Sequence, residues 1–174
     1  MVVLDVRNDY ETKIGKFKGS IAPEITHFSQ FPTYLKESNL PKEKKYAIVC
    51  TGGIRCEKAI HEMHLLGYEI VWQLDGGILT YLEEFPNQLF DGECFVFDNR
   101  VALDQELLPS KQYTLCPCCG NVASQPIRCE NCGKETQICQ ECLEKRPNHP
   151  RIRSCSKNCA YHLGRRAELG RAEG

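Results

Sequence analysis

The chain has 174 residues, 41% hydrophobic and 26% charged, with a formal net charge of −1, a balance that excludes a disordered or fibrous protein and points to a soluble globular one. No apolar run approaches the about 18 residues of a membrane-spanning helix, and Met1 opens directly on Val2-Val3-Leu4-Asp5-Val6 without a leader pattern, so a cytoplasmic location is expected. The neutral total hides an asymmetry: residues 1–115 carry 12 Lys/Arg against 17 Asp/Glu, net −5, and residues 116–174 carry 10 against 6, net +4.

In chain order, Val2–Val6, Tyr46–Cys50 and Glu69–Leu74 are short runs rich in Val and Ile, each followed by turn residues and then by a helix-like stretch. That order predicts an α/β unit. The helices are expected at His27–Ser38 behind a Thr26 cap, at Cys56–Leu66 with apolar positions three to four apart and Gly67 as the stop, and at Ile78–Phe85. Pro86-Asn87, Asp91-Gly92 and Pro109-Ser110 then mark a connection broken by one apolar piece, Cys94–Leu103. The expected division is a first domain over residues 1–103, a linker over 104–115 and a cysteine-rich module over 116–174, ending in a polar, basic, helix-prone tail from His162.

The stretch Tyr46–Lys58 carries the most chemistry. A strand ends in Cys50 and continues through Thr51-Gly52-Gly53-Ile54-Arg55-Cys56 into a helix start. Gly52 and Gly53 permit φ > 0, so successive amides can turn around the Cys50 sulfur while the helix presents its positive end. A helix N-terminus and a nearby cation such as Arg55 are the conditions that lower a thiol pKa and make a nucleophilic thiolate. Cys56 is either a resolving thiol for an oxidised Cys50 or a packing residue, and Arg55 either assists by charge or pins the loop through Glu57 or Glu62. Asp5 and Arg7 read as structural, and Cys94 as a strand core residue.

Nine of the twelve cysteines lie between Cys116 and Cys159. They form CxxC pairs at Cys116/Cys119, Cys129/Cys132 and Cys139/Cys142 and a CxxxC pair at Cys155/Cys159, separated by nine, six and twelve residues. Eight thiolates suit two tetrahedral Cys₄ zinc sites, closed and structural, which a module of 59 residues needs to stand. An iron–sulfur cluster would use the same residues, and colour distinguishes the two. Sequential and cross-braced pairings are equally compatible with the spacing. Cys118 is the odd cysteine, and His149 and His162 read as solvent-facing rather than as ligands. Two divalent ions on eight thiolates leave four negative charges, so the tail's basic residues can balance them. Alternatively, Arg146, Arg151, Arg153, Lys157, Arg165 and Arg166 form a phosphate-contacting RNA surface.

Three ordered segments give the chain a specific resemblance. Leu4-Asp5-Val6-Arg7, Glu11 and Gly15–Ile21 resemble the rhodanese opening, with Lys16-Phe17 in place of its usual His-Ile. Cys50 to Arg55 matches the six-residue rhodanese active loop, and Leu74-Asp75-Gly76-Gly77-Ile78 its late Leu-x-Gly-Gly element. The loop has four residues between Cys50 and Arg55, where the related phosphatase loops have five, which disfavours phosphatase activity.

The run Cys50–Lys58, joined to Gly92–Arg100 and a cysteine-rich tail, is further similar to the oxygen-dependent tRNA uridine hydroxylases. The resemblance implies a rhodanese-like parallel sheet flanked by helices, N-terminally incomplete because a strand and helix normally precede the Asp-x-Arg strand. It also implies formation of 5-hydroxyuridine at the wobble position of tRNA, with molecular oxygen as co-substrate and Cys50 as the required cysteine. The alternatives are a sulfurtransferase that carries a persulfide on Cys50, charged by thiosulfate or a donor protein, and a non-catalytic partner-binding module. Cyanide turnover from thiosulfate favours the first alternative, and an unreactive Cys50 favours the second.

Overall fold

The computed structural model describes residues 1–172, with side chains through Arg165. Two compact units emerge: residues 1–97 with 102–109, and residues 98–101 with the chain from Ser110 onward. Residues 104–109 thus lie with the first unit and 110–115 with the second. Among the described residues no helix is long and apolar enough to cross a membrane.

The first unit is built on three parallel strands, β1 (Val2–Asp5), β3 (Tyr46–Val49) and β4 (Val71–Gln73), in the order β1-β3-β4 with Leu4 opposite Ile48 and Ile48 opposite Gln73. Alternate residues of these strands serve different cores. Leu4, Tyr46 and Ile48 pack with Phe31 and Leu35 of helix α2 (Phe31–Glu37) and with Cys56, Ala59 and Met63 of helix α3 (Ile54–Leu65). Val49, and Val3 beside it, instead face Ile78 and Leu82 of helix α4 (Gly77–Glu84). Apolar cover on both faces is what a parallel sheet requires.

Around this lie short helix α1 (Asp9–Thr12) and two antiparallel pairs. Strand β2 (Gly15–Phe17) pairs with β5 (Phe90–Gly92), and β6 (Cys94–Phe95) with β7 (Ala102–Leu103). The rings of Phe17, Tyr81 and Phe90 meet edge to face, which ties the β2–β5 pair to α4.

The expected α/β order holds, with two adjustments. The helix expected over His27–Ser38 opens as a 3₁₀ turn (Phe28–Gln30) and becomes α-helical only at Phe31. Pro32 explains the break: without an N–H it is accommodated in the first turn of a helix, not in its interior. Thr26 donates its amide to the Gln30 side chain rather than capping the helix. The second adjustment is that the apolar piece Cys94–Leu103 is two strands joined by a turn, with Val101 at φ 66°.

The second unit consists of two hairpins and two helices. Strands β8 (Thr114–Leu115) and β9 (Val122–Ala123) flank the first cysteine pair, and β10 (Gln125–Arg128) and β11 (Glu135–Ile138) flank the second. The third pair lies at the start of α5 (Gln140–Lys145), and the fourth at the start of α6 (Lys157–Ala172). Ile138 and Ile152 are its main buried aliphatic side chains, packed among cysteines. The tail beyond His162 is helical through Ala172.

Candidate functional site

Strand β3 delivers Cys50 into a tight loop that becomes α3 four residues later. Gly53 makes the turn, with φ 90°, while Gly52 stays out of the left-handed region, so one glycine rather than two supplies the required freedom. The Gly53 amide then donates to the Cys50 sulfur at 3.1 Å. The Cys56 thiol, on the first turn of α3, donates to the same sulfur at 3.3 Å.

The Cys50 thiol is held down to about 5. The hydrogen bond from Cys56 is the largest cause, burial opposes it, and the amides of Arg55, Cys56 and Gly53 reinforce it. The proton that Cys50 gives up is kept by its neighbour: Cys56, hydrogen-bonded to the thiolate and buried, is pushed well above the ordinary thiol range. At neutral pH the pair carries one negative charge, on Cys50.

The loop is locked from behind by α4. The amides of Ile78 and Leu79 donate to the carbonyls of Cys50 and Thr51 at 3.0 and 3.2 Å. Gly77 makes this approach possible, because a Cβ there would stand 2.7 Å from the Cys50 carbonyl oxygen and 2.6 Å from that of Thr51. The hydroxyl of Thr51 donates to the Phe95 carbonyl at 3.3 Å, which joins the loop to β6.

Arg55 differs from expectation. Its partner is neither Glu57 nor Glu62 but Glu11, a fully buried residue of α1 that accepts both guanidinium nitrogens at 2.6 and 2.7 Å. The same carboxylate accepts the Asn8 amide at 3.1 Å. Arg55 therefore pins the loop to α1 with its charge already matched. The thiolate owes its stability to the Cys56 thiol and to backbone amides. Asp5 and Arg7 form a second, wholly buried pair at 2.7 Å, with Arg7 also donating to the Gly15 carbonyl. Cys94 is buried in β6, and burial pushes its thiol up to about 12.

In the second unit the structure gathers all eight paired cysteines into two groups. Cys116, Cys119, Cys139 and Cys142 form one, Cys129, Cys132, Cys155 and Cys159 the other, each with its sulfurs within 4.8 Å of one another. This is the cross-braced arrangement, first pair with third and second with fourth. The two hairpin knuckles share one geometry: the Gly120 amide donates to Cys116 O and the Gly133 amide to Cys129 O, both at 2.8 Å.

Sulfurs stand 3.5 Å apart between Cys119 and Cys139, 3.5 Å between Cys132 and Cys155, and 3.7 Å between Cys155 and Cys159. A tetrahedral ion with metal–sulfur bonds of about 2.3 Å calls for edges of about 3.8 Å. The donor set and its spacing therefore fit a thiolate-bound metal ion in each group.

Cys118 belongs to neither group; it is buried and accepts from Arg146 at 3.7 Å. His149 also stands apart, its ring nitrogen accepting the Arg151 amide, and His162 lies exposed on α6. Four of the basic residues are engaged within the unit: Arg146 with Cys118, Arg151 with the Cys118 carbonyl, Arg153 with Glu130, and Arg165 with Tyr161. The side chain of Arg166 lies outside the described residues.

Sequence reasoning did not find two features of the site. One is the role of Glu11, although its place three residues after Asn8, a pattern that caps a helix start, was a usable signal. The other is the ring of Phe97, whose centroid lies 5.5 Å from the Arg55 guanidinium.

Comparison with known proteins bears on both units. A family model described as "Rhodanese-like domain" matches residues 1–84, and one described as "Rhodanase C-terminal" matches residues 91–160. A Bdellovibrio bacteriovorus protein named tRNA uridine(34) hydroxylase is 51% identical over 162 residues, covering 93% of this chain and 45% of the relative. One of the same name from Teredinibacter turnerae is 39% identical over 184 residues, covering 99% of this chain and 57% of its own. The chain thus spans about half the length of the curated relatives it matches. Among solved structures, a Rhodanese_3 like domain from Anabaena matches 52% of this chain and 98% of its own, with 20% identity and a TM-score of 0.45.

Proposed function

The chain belongs to the rhodanese family, and from that premise we propose that it acts on tRNA, hydroxylating the wobble uridine with molecular oxygen, with Cys50 as the reactive residue. The observation that carries the reading is the Cys50 sulfur under the Gly53 amide and the Cys56 thiol, a loop that keeps a nucleophilic thiolate at neutral pH. The choice of tRNA as substrate is supported by the name tRNA uridine(34) hydroxylase that the two relatives bear.

Replacing a ring hydrogen of uridine by hydroxyl takes one atom of O₂, and the second leaves as water with two electrons and two protons. The Cys50 thiolate and the Cys56 thiol closing to a disulfide release two electrons and one proton, and solvent water supplies the second proton. The 3.3 Å between the Cys56 and Cys50 sulfurs supports Cys56 as the second thiol, which in this reading is the resolving residue. Thr51, Gly52, Gly53, Ile54 and Arg55 form the loop around them.

The sulfurtransferase alternative, where thiosulfate is the donor, needs a dianion to approach a thiolate whose guanidinium neighbour Arg55 is already matched by Glu11. That charge arrangement favours the neutral base over the dianion.

We assign the two cysteine groups to structural zinc, one ion each, held by Cys116, Cys119, Cys139 and Cys142 and by Cys129, Cys132, Cys155 and Cys159. Four thiolates leave no open position, so the ions would hold the fold and take no part in catalysis. A colourless protein with two zinc ions per chain agrees with this assignment, and a brown one overturns it.

The test of the function is to incubate the purified chain with unmodified tRNA in air and then digest the RNA for mass spectrometry. A one-oxygen gain on uridine that disappears in Cys50→Ser is expected. No gain from folded, metal-loaded protein overturns hydroxylation by this chain.

A further inference from the structure

Cys50 is only 1% exposed, so the cysteine offers almost no surface on which a substrate could rest. Whatever reacts with it must be held by side chains on or tied to the loop, and three of these, Ile54 in the loop itself, Phe97 against Arg55 and Tyr10 joined to it through Phe95, are unusually open for their type. Ile54 of the loop is 80% exposed, Phe97 67% and Tyr10 37%.

Their arrangement is fixed rather than loose. The Tyr10 ring meets Phe95 edge to face at 5.3 Å, and Phe95 meets Phe97 in the same way at 5.0 Å. Tyr10 accepts from the Asn8 side chain at 2.9 Å, and the Phe95 backbone is bonded to Thr51 of the loop. The Arg55 guanidinium lies over the Phe97 ring at 5.5 Å, itself clamped by Glu11. Phe97 is therefore an exposed aromatic ring whose position is set by the residues that shape the cysteine loop.

The electrical character of this rim selects its ligand. Arg55 is neutralised by a buried carboxylate, and the thiolate beneath is negative, so the rim repels a phosphate or a sulfur oxyanion. A flat uncharged ring suffers no such penalty and gains stacking against an aromatic face, which serves any base because every base has a π-face.

Resting on the RNA-modifying reading above, we propose that Phe97, held under Arg55 and joined through Phe95 to Tyr10, is the platform on which an unstacked pyrimidine base lies while it is presented to Cys50. Phe97 is thus a substrate-contacting residue, and the base is recognised here by stacking, not through its phosphate.

The test uses the metal-loaded chain and an unmodified tRNA anticodon stem-loop with either uridine or an abasic site at the wobble position. Affinity is read by fluorescence anisotropy, and occupancy of the site by protection of Cys50 from iodoacetamide. Wild-type protein is expected to bind the uridine RNA more tightly and to be protected only by it. Phe97→Leu is expected to weaken uridine RNA about 5- to 150-fold, the range for loss of one stacked base, and to leave the abasic RNA unchanged, while Phe97→Tyr restores binding. An unchanged pH profile of Cys50 alkylation and unchanged metal content in Phe97→Leu show that the loop and fold are intact.

If Phe97→Leu binds uridine RNA like wild type, or weakens both RNAs alike, the platform is overturned while the RNA reading stands. If wild-type protein binds neither RNA, the RNA reading falls, and the platform with it.

Discussion

In the first unit one acidified thiol is set at the edge of an apolar core, whereas in the second eight thiols take the place of such a core. Leu4, Phe31, Tyr46, Ile48 and Met63 are all fully buried around the parallel sheet, so the first unit has ample apolar surface to fold on. The second buries Ile138 and Ile152 among cysteines and has little else of that size. The comparison teaches that the same side chain does opposite work according to its surroundings. Cys50 stands alone, its thiolate held by the Gly53 amide and the Cys56 thiol, while the knuckle cysteines converge in fours and are fit to be consumed by a metal.

The second unit depends most on its metal. Structural zinc binding is worth about 10–16 kcal/mol in small metal-held domains, more than the total stability of most domains, so stripping the metal is expected to unfold this unit. Circular dichroism and limited proteolysis after chelation should show cleavage confined to residues beyond Ser110, with Cys50 still reactive. Protease resistance of both units after complete metal removal would mean that the second unit has a core of another kind.

In the first unit the corresponding weak point is Glu11. Removing one partner of a buried ion pair costs about 3–5 kcal/mol, so Glu11→Ala should lower stability to urea by about that amount while the metal content stays at two per chain. A loss below about 1 kcal/mol would show that Arg55 finds another partner or reaches water.

The smallest effect is expected at Cys118, the one cysteine of the second unit outside both groups. Cys118→Ser should retain both metal ions and change stability by no more than about 1 kcal/mol. Loss of one ion in this variant would place Cys118 among the ligands and redraw the first group.

The two units also differ in how far they could be read from sequence. The parallel strands were legible because Val2–Asp5, Tyr46–Val49 and Val71–Gln73 are apolar runs, and α3 because its buried face repeats at helical spacing up to Gly67. The loop was legible through Cys50 and Gly53, since one residue type makes the nucleophile and the other makes the turn. The partner of Arg55 was not, because Glu11 lies 44 residues away and reaches it through tertiary packing alone. In the second unit the eight cysteines were legible and their pairing was not: a CxxC spacing fixes which two sulfurs share a knuckle, and only the folded chain decides which knuckles meet. Strands β8–β11 escaped notice because they are short and carry little periodicity.

Whether the loop makes Cys50 a thiolate at neutral pH is read from its rate of alkylation by iodoacetamide against pH, followed at Cys50 by peptide mass spectrometry. The reactive form is the deprotonated one, so the rate should rise through a midpoint near pH 5 and be flat from pH 7 upward. Cys56→Ala, which removes the largest cause of the shift, should move the midpoint upward. A wild-type midpoint near pH 8.5, the value of a free thiol, would contradict the account.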